Sequence, residues 1–153
     1  FGDGPSVEAS VIEPLGGGLY TAETQIRLPT VPMSFRTPQP GDELFVVGRR
    51  DGEPWEARVR VRADPRVEGL LLTVPGGLRT DPDQIGAGVF VEEYEDGPRR
   101  LVALVSGRLV LRQGDGSVRE YLTAVGPDDL WRLVARRQDL LTRRRWFYRE
   151  DSL

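Results

Sequence analysis

The stretch that decides the fold is an alternating run near the middle of the chain, Trp55-Glu56-Ala57-Arg58-Val59-Arg60-Val61-Arg62. Its odd positions are apolar and its even positions are charged. A β-strand with one face buried and the other in water has this period of two. An apolar run comes before it, Glu43-Leu44-Phe45-Val46-Val47. The link between the two runs contains Asp51-Gly52, a pair that favours a tight turn, so the sequence predicts a β-hairpin here.

Short apolar runs separated by turn residues continue on both sides of this hairpin. All 12 prolines and all 18 glycines lie at or before Pro127. Further strands are predicted at 7–13, 19–28, 69–74, 87–94, 100–106, 108–112 and 118–124, with turns at 96–97, 106–107 and 113–116. Short strands at this spacing are typical of a barrel or a sandwich. We therefore predict a mainly β fold, a barrel or sandwich of short antiparallel strands, with one C-terminal amphipathic helix.

The helix is predicted from the change of pattern after Gly126. Pro127 suits a first helical turn, and two aspartates, Asp128 and Asp129, follow it where the helix dipole favours negative charge. Apolar residues then recur at helical spacing, at Leu130, Leu133, Val134, Leu140 and Leu141. These signals predict a helix over about 127–142 that continues through Arg149. In its simplest interpretation this helix caps one end of the barrel and its arginines are solvated.

These patterns divide the chain into three parts. We predict an N-terminal β arm at 1–28, a β-barrel domain at 29–126 and an Arg-rich C-terminal helix at 127–153. The arm and the barrel are joined by a proline-rich stretch, Leu28-Pro29-Thr30-Val31-Pro32 through Thr37-Pro38-Gln39-Pro40-Gly41. Such a stretch is expected to be an extended connector.

The composition excludes several kinds of catalytic machinery. The chain contains no His, Cys, Asn or Lys, and all 21 basic residues are arginines. Serine or cysteine nucleophiles activated by His, Schiff-base lysines, P-loop lysines and His/Cys zinc sites are therefore ruled out. We expect a protein that is not an enzyme and has no catalytic residues, no cofactor and no metal site. Avoidance of Asn and Lys is expected of a GC-rich genome, and avoidance of the heat-labile Asn is expected of a thermophilic source.

Two further expectations concern location. Without cysteine there is no disulfide framework, which fits a reducing compartment, and we predict a cytoplasmic protein. No apolar run approaches the ~18 residues of a transmembrane helix, so no transmembrane segment is expected.

The distribution of charge singles out the C-terminal part of the chain. The formal net charge is −3, which argues against general nucleic-acid binding. Residues 130–149 nevertheless carry seven arginines against one acid, Asp139. Arg145 and Arg149 are four positions apart and would project from one face of a helix. A guanidinium group can form two hydrogen bonds to the oxygens of one phosphate, stack on a base, or hydrogen-bond to the O6/N7 edge of guanine. These residues are therefore a candidate anion site. The alternative is a solvated basic face.

The same residues carry a resemblance to a known family. Arg144-Arg145-Trp146-Phe147-Tyr148-Arg149 resembles the RRxxxR motif that opens PilZ domains, the receptors for cyclic di-GMP. The preceding strands resemble the flagellar-brake barrel found before PilZ in many bacterial proteins. The resemblance implies a regulatory module in which Arg145 and Arg149 contact the phosphates and guanine edges of the dinucleotide and Arg144 assists. PilZ also has a D/NxSxxG element after RRxxxR. Its nearest counterpart here lies upstream, in Glu13-Pro14-Leu15-Gly16-Gly17-Gly18, so the resemblance implies half a site that another chain or segment completes.

A second resemblance leads to a different function. The segments 28–32, 40–48, 86–90 and 101–107 resemble the second barrel of trypsin-like proteases, and Ile85 stands where the nucleophilic serine would be. With no histidine in the chain, this resemblance implies an inactive scaffold used for binding. The corresponding alternative function is a structural or interaction protein, for example a phage or envelope assembly component. It would bind a protein partner or a second copy through the apolar face of the C-terminal helix.

Two smaller clusters complete the candidates. The stretch Glu92-Glu93-Tyr94-Glu95-Asp96 is interpreted as a solvated acidic hairpin, with a hard-cation site as the alternative. A hydrolase that uses carboxylates alone would need two acids from different segments in one cleft. Among the tryptophans, Trp55 is predicted to lie in the core, and Trp131 and Trp146 stay open as members of a stacking platform.

Overall fold

The protein is described by a computed structural model over residues 8–16, 19–24, 30–34, 36–74, 84–95, 97–132 and 135–136. Its strands follow the chain in the order β1 Ala9–Gly16, β2 Leu19–Thr24, β3 Glu43–Arg50, β4 Glu53–Arg62, β5 Leu70–Thr73, β6 Gly88–Val91, β7 Arg100–Arg112 and β8 Val118–Val125. The short helix α1 begins at Pro127, and residues 127–132 and 135–136 are helical.

Six of the strands close into a barrel in the order β3-β4-β5-β8-β7-β6, and β6 pairs back onto β3. Every pair of neighbours is antiparallel. The prediction of a mainly β fold with antiparallel strands and a C-terminal helix is confirmed. Of the two predicted architectures, barrel and sandwich, the structure is a closed barrel. Strands β1 and β2 form a separate two-stranded sheet that pairs with no barrel strand in the described part of the chain.

The predicted hairpin lies at the start of the barrel. Arg50 pairs with Glu53, so the turn has two residues, and both have positive φ, 51° at Asp51 and 79° at Gly52. Two positive φ angles define a type I′ turn, whose twist matches that of the flanking strands. Along β4 the even positions are exposed, whereas Val59 and Val61 are buried and Trp55 packs half-buried against the core. The alternating pattern is confirmed.

The barrel interior is filled by small and medium-sized aliphatic side chains from all six strands. The fully or nearly fully buried cluster consists of Leu44, Val46, Val59, Val61, Leu72, Ala87, Val89, Val102, Ala103, Val105, Leu122 and Ala124. Since these side chains occupy the interior of a small barrel, any ligand site has to lie at the barrel ends or on its outer face.

One predicted turn is wrong. Residues 100–106 and 108–112 were expected to be two strands separated by a turn at Ser106-Gly107, but β7 runs without a break through Arg112. Val105 pairs with Ala124 and Gly107 pairs with Thr123, so Ser106 is an extra residue in a β-bulge. A glycine inside an apolar run marks either a turn or a bulge, and here the partner strand continues past it. The predicted turn at 113–116 is confirmed by the hydrogen bonds between Gln113 and its neighbours Ser117 and Gly116.

The segments that flank the barrel also pack onto it. Met33 forms a parallel bridge with Leu101, and the buried Ser34 donates its backbone N–H to the Leu101 carbonyl over 2.9 Å. In α1, Pro127 is fully buried and Leu130 is 6% exposed, so the helix begins against the barrel. The remainder of the predicted helix, through Arg149, lies outside the described residues. The described part of the chain has no helix long and apolar enough to cross a bilayer.

Candidate functional site

Three arginines form a row on the outer face of β4. Arg58, Arg60 and Arg62 alternate with inward-facing residues, so their Cα atoms follow one another at about 6.6 Å along the strand. All three are exposed. The row begins after Glu56, which faces the same side of the strand. Strand geometry alone therefore places three cationic side chains side by side.

The first arginine of the row has partners. The Arg58 guanidinium lies 3.7 Å from the Glu43 carboxylate and stacks over the Phe45 ring at 5.7 Å from its centroid. The neighbouring Glu56 is bound by Arg99 over 2.6 Å. This hydrogen bond is the main reason that the pKa of Arg99 lies above its ordinary value. The charges at this end of the row are balanced within the barrel.

Arg60 and Arg62 differ from Arg58 because neither forms an ion pair within the described residues. Arg60 lies opposite Thr73 on β5, whose hydroxyl donates to the Arg60 carbonyl over 3.1 Å. That bond holds the backbone and leaves the guanidinium in solvent. Arg62 lies opposite Leu71, an apolar neighbour that offers no counter-charge.

A cleft lies directly beside these two arginines. Its volume is about 750 Å³, within the range of small-molecule sites, and it is lined by Pro40, Gly41, Arg60, Val61, Arg62, Ala63, Thr73 and Val74. The loop at Pro40-Gly41 is fastened to β4 by two backbone bonds, from the Gly41 N–H to the Val61 carbonyl (2.8 Å) and from the Val61 N–H to the Asp42 carbonyl (3.0 Å). Gly41 has φ 93°, a conformation that favours glycine, and the space beside its Cα is open.

The chemistry of this lining suits an anion with an apolar part. Two guanidinium groups provide planar, bidentate donors for phosphate or carboxylate oxygens. The side chains of Pro40, Ala63 and Val74 provide an apolar wall for the remainder of a ligand. The next arginine along the chain, Arg66, is paired with its own neighbour, because its guanidinium binds the Asp64 carboxylate at 2.8 and 3.0 Å. Among the described residues, the cleft lining therefore has two arginines without an acidic partner.

The residues predicted to bind an anion, Arg144, Arg145 and Arg149, lie outside the described part of the chain and remain a prediction. Arg60 and Arg62 were interpreted only as the polar face of a strand. The signal that would have found them was present, since three arginines follow Glu56 on one strand face with no further acid among them. What the sequence alone did not provide was the pairing that neutralises Arg58 and gives the other two no acidic partner among the described residues.

The acidic stretch at 92–96 is more than a solvated hairpin. Glu92 binds Arg99 over 3.1 Å, and Glu93 lies 3.6 Å from Arg100. Glu93 also accepts a hydrogen bond from the hydroxyl of buried Ser34, which joins the connector to the residues that follow β6. Within the described ranges, no three acidic side chains come together as metal ligands would. These two acids therefore have structural partners.

Comparisons with known proteins find no protein family and no curated protein that matches the chain.

Proposed function

We propose that the protein is a non-enzymatic binding module that takes an anionic nucleotide at the cleft beside Arg60 and Arg62. The observation that carries this proposal is a pair of exposed arginines, without acidic partners among the described residues, at the rim of a cleft of about 750 Å³. In the proposed complex the two guanidinium groups hold the phosphates, and the apolar wall contacts the base. A regulatory role in the cytoplasm is part of the proposal, by analogy with modules that respond to small nucleotides.

Cyclic di-GMP is the ligand we propose to test first. The RRxxxR resemblance supports it, and the resemblance places the contacts at Arg144, Arg145 and Arg149 instead of the cleft. Both arginine sets suit phosphate for the same chemical reason, so only substitution separates them. The two sites are compatible if the C-terminal arginines and the cleft contact different phosphates of one ligand.

The experiment is a calorimetric titration of the full chain with cyclic di-GMP, GTP and inorganic phosphate at two salt concentrations. Hydrogen bonds to charged groups are each worth about 1.5–3 kcal/mol, so Arg60→Ala with Arg62→Ala is expected to weaken nucleotide binding about 100-fold or more. Arg58→Ala is the matched control, since it removes an arginine from the same strand face but outside the cleft lining, and it should change affinity less than about threefold.

Each other result has a definite meaning. Loss of binding only with Arg145→Ala and Arg149→Ala would overturn the cleft and place the site at the C-terminal arginines. Weak, salt-sensitive binding of all three anions alike would reduce the proposal to a basic surface. A wild-type chain that binds none of them would overturn the binding module.

The second candidate, a structural or interaction protein, is favoured by a different observation. The β7–β8 hairpin extends past the barrel, and Val110 and Val118 on it are 50% and 57% exposed. The predicted route to a partner was the apolar face of the helix. Leu130 of that face is buried within its own chain, and Leu133, Val134, Leu140 and Leu141 lie outside the described side chains.

A further inference from the structure

The N-terminal hairpin, β1 and β2, forms a two-stranded sheet of its own. In the part of the chain that the structure describes, β1 and β2 pair only with each other. Their described side chains are mostly exposed, and Tyr20 is 63% exposed. A two-stranded hairpin alone is marginally stable in water, so a further surface is needed to stabilise it. Residues 8–24 carry Glu8, Glu13 and Glu23 and no basic residue, so the hairpin is acidic.

The barrel has an edge that lacks a strand. We call residues 106–121, where β7 has no described strand on its outer side and β8 is not paired with β5, the distal ribbon. On its outer side β7 pairs with β6 only as far as Leu104, and Val105 bonds the backbone of Gly86 and Ala87. From Ser106 to Arg112 no described strand lies along that side.

The alternation of hydrogen bonds along β7 shows which of its backbone groups have no partner on β8 and point to the open edge. The Gln113 N–H donates to the Ser117 carbonyl over 2.7 Å. Because an antiparallel ladder alternates, Leu111 and Leu109 bond β8 in the same way. The N–H and C=O groups of Arg108, Val110 and Arg112 therefore point away from β8, along the open edge.

The positive side chains at this edge favour pairing with an acidic strand. Arg108 and Arg112 are exposed on either side of the half-exposed Val110. A second β7 edge would set these arginines opposite one another, and like charges directly opposite are destabilising. An acidic strand would meet the same positions with opposite charge. The distal ribbon also carries an acid, Glu120, but it lies on β8, where it pairs with Val110, and not on the open edge.

We propose that the acidic β1–β2 hairpin of one copy adds to the β7 edge of a second copy. The described part of each chain has one such hairpin and one such edge, so the contact is made either by reciprocal exchange in a dimer or head to tail in a ring. The hairpin gains a sheet to pair with, and the edge gains a strand. This proposal is independent of the anion cleft, which lies on β4 and β5.

The test is the mass of the full chain by sedimentation velocity over a range of concentrations. The wild type is expected to be a dimer or larger, and Arg108→Glu with Arg112→Glu should weaken self-association about tenfold or more. Arg60→Glu with Arg62→Glu is the matched control, because it changes the net charge equally on another strand and should leave self-association unchanged. Val110→Pro removes an N–H that faces the edge and not β8, so it should also block association without breaking the ribbon.

A charge swap makes the test specific for the hairpin. Glu13→Arg with Glu23→Arg should also fail to associate alone, and an equal mixture with Arg108→Glu/Arg112→Glu should restore the wild-type mass. A wild-type chain that is monomeric at every concentration would overturn the proposal. So would a mixture that stays monomeric while both variants remain folded by circular dichroism, or an effect of the Arg60/Arg62 control as large as that of the edge variant.

Discussion

The substitution Phe45→Ala should be among the most destabilising on the outside of the barrel. Phe45 is 7% exposed although it faces away from the barrel core. It lies opposite Phe90, also 7% exposed, and the Arg99 guanidinium covers its ring at 4.0 Å from the centroid. Arg99 is held in that position by Glu56 at 2.6 Å and Glu92 at 3.1 Å. The ring is thus covered by a guanidinium that two carboxylates hold in place.

The size of the destabilisation can be estimated from the contacts that each substitution removes. Truncation of a buried phenylalanine to alanine costs about 3–5 kcal/mol, and the partly open rim of this site places Phe45→Ala near about 3 kcal/mol. Arg99→Ala loses one cation–π contact of about 0.5–1 kcal/mol. It also loses two solvent-exposed ion pairs of about 0.2–1 kcal/mol each, so about 1–3 kcal/mol in total. Against a typical stability of about 5–15 kcal/mol, either loss is readily measured.

The assay is urea unfolding followed by tryptophan fluorescence, arranged as a double-mutant cycle. Since Arg99 contacts the Phe45 ring, the double variant should be less unstable than the sum of the singles, with a coupling of about 1 kcal/mol. Arg100→Ala is a matched control because Arg100 pairs with Glu93 and does not cover the ring. A Phe45→Ala cost below about 1 kcal/mol, or a coupling of zero, would refute the reasoning.

Two further predictions concern the packing at Gly48 and the pH dependence of stability. Gly48→Ala would place a Cβ 2.7 Å from the Ala87 Cβ, a contact that neither short side chain can relieve. We therefore expect the free energy of unfolding, measured in urea, to fall by about 1–3 kcal/mol. Gly114 has open space beside it, so Gly114→Ala should lower the free energy of unfolding by less than half as much. The hydrogen bond from Arg66 lowers the pKa of Asp64 from 3.8 to about 2, so the stability that this acid contributes is present above pH 3.8 and lost as the pH falls towards 2. Asp64→Asn should reduce the fall in urea midpoint over that interval, and an unchanged profile would contradict the assignment.

The parts of the fold that could be predicted from the sequence are those set by near neighbours. The type I′ turn depends on two adjacent residues, Asp51 and Gly52, and the exposure of β4 depends on its own alternation. Ser106-Gly107 was misassigned because a turn and a bulge share the same local signal. Only the partner strand, which continues from Thr123 to Val118, distinguishes them.

The candidate site could not be predicted in the same way because it depends on residues far apart in the chain. Phe45 stands in an unbroken apolar run, so period-two reasoning does not say which face it occupies. The closure of β6 onto β3 places Phe90 opposite it, and the Arg99 guanidinium covers its ring. The same closure brings Arg99 to Glu56, one of its two acidic partners. Among the described residues no acid pairs with Arg62, and local sequence carries no signal for that difference.

The contrast between Arg99 and the arginines of the cleft separates an arginine with structural partners from those that we propose bind an anion. Two unit charges about 7 Å apart in water repel by about 0.6 kcal/mol, and salt reduces this further, so the fold tolerates Arg60 and Arg62 side by side at little cost. Within the described residues, neither guanidinium forms an ion pair with the barrel. Arg60→Ala with Arg62→Ala should therefore leave the free energy of unfolding within about 0.5 kcal/mol of wild type while it abolishes tight anion binding. Arg99→Ala should do the reverse, because Arg99 covers Phe45 and takes no part in the cleft. If both variants lowered stability alike, the arginines of the cleft would be structural and the binding site would have to lie elsewhere.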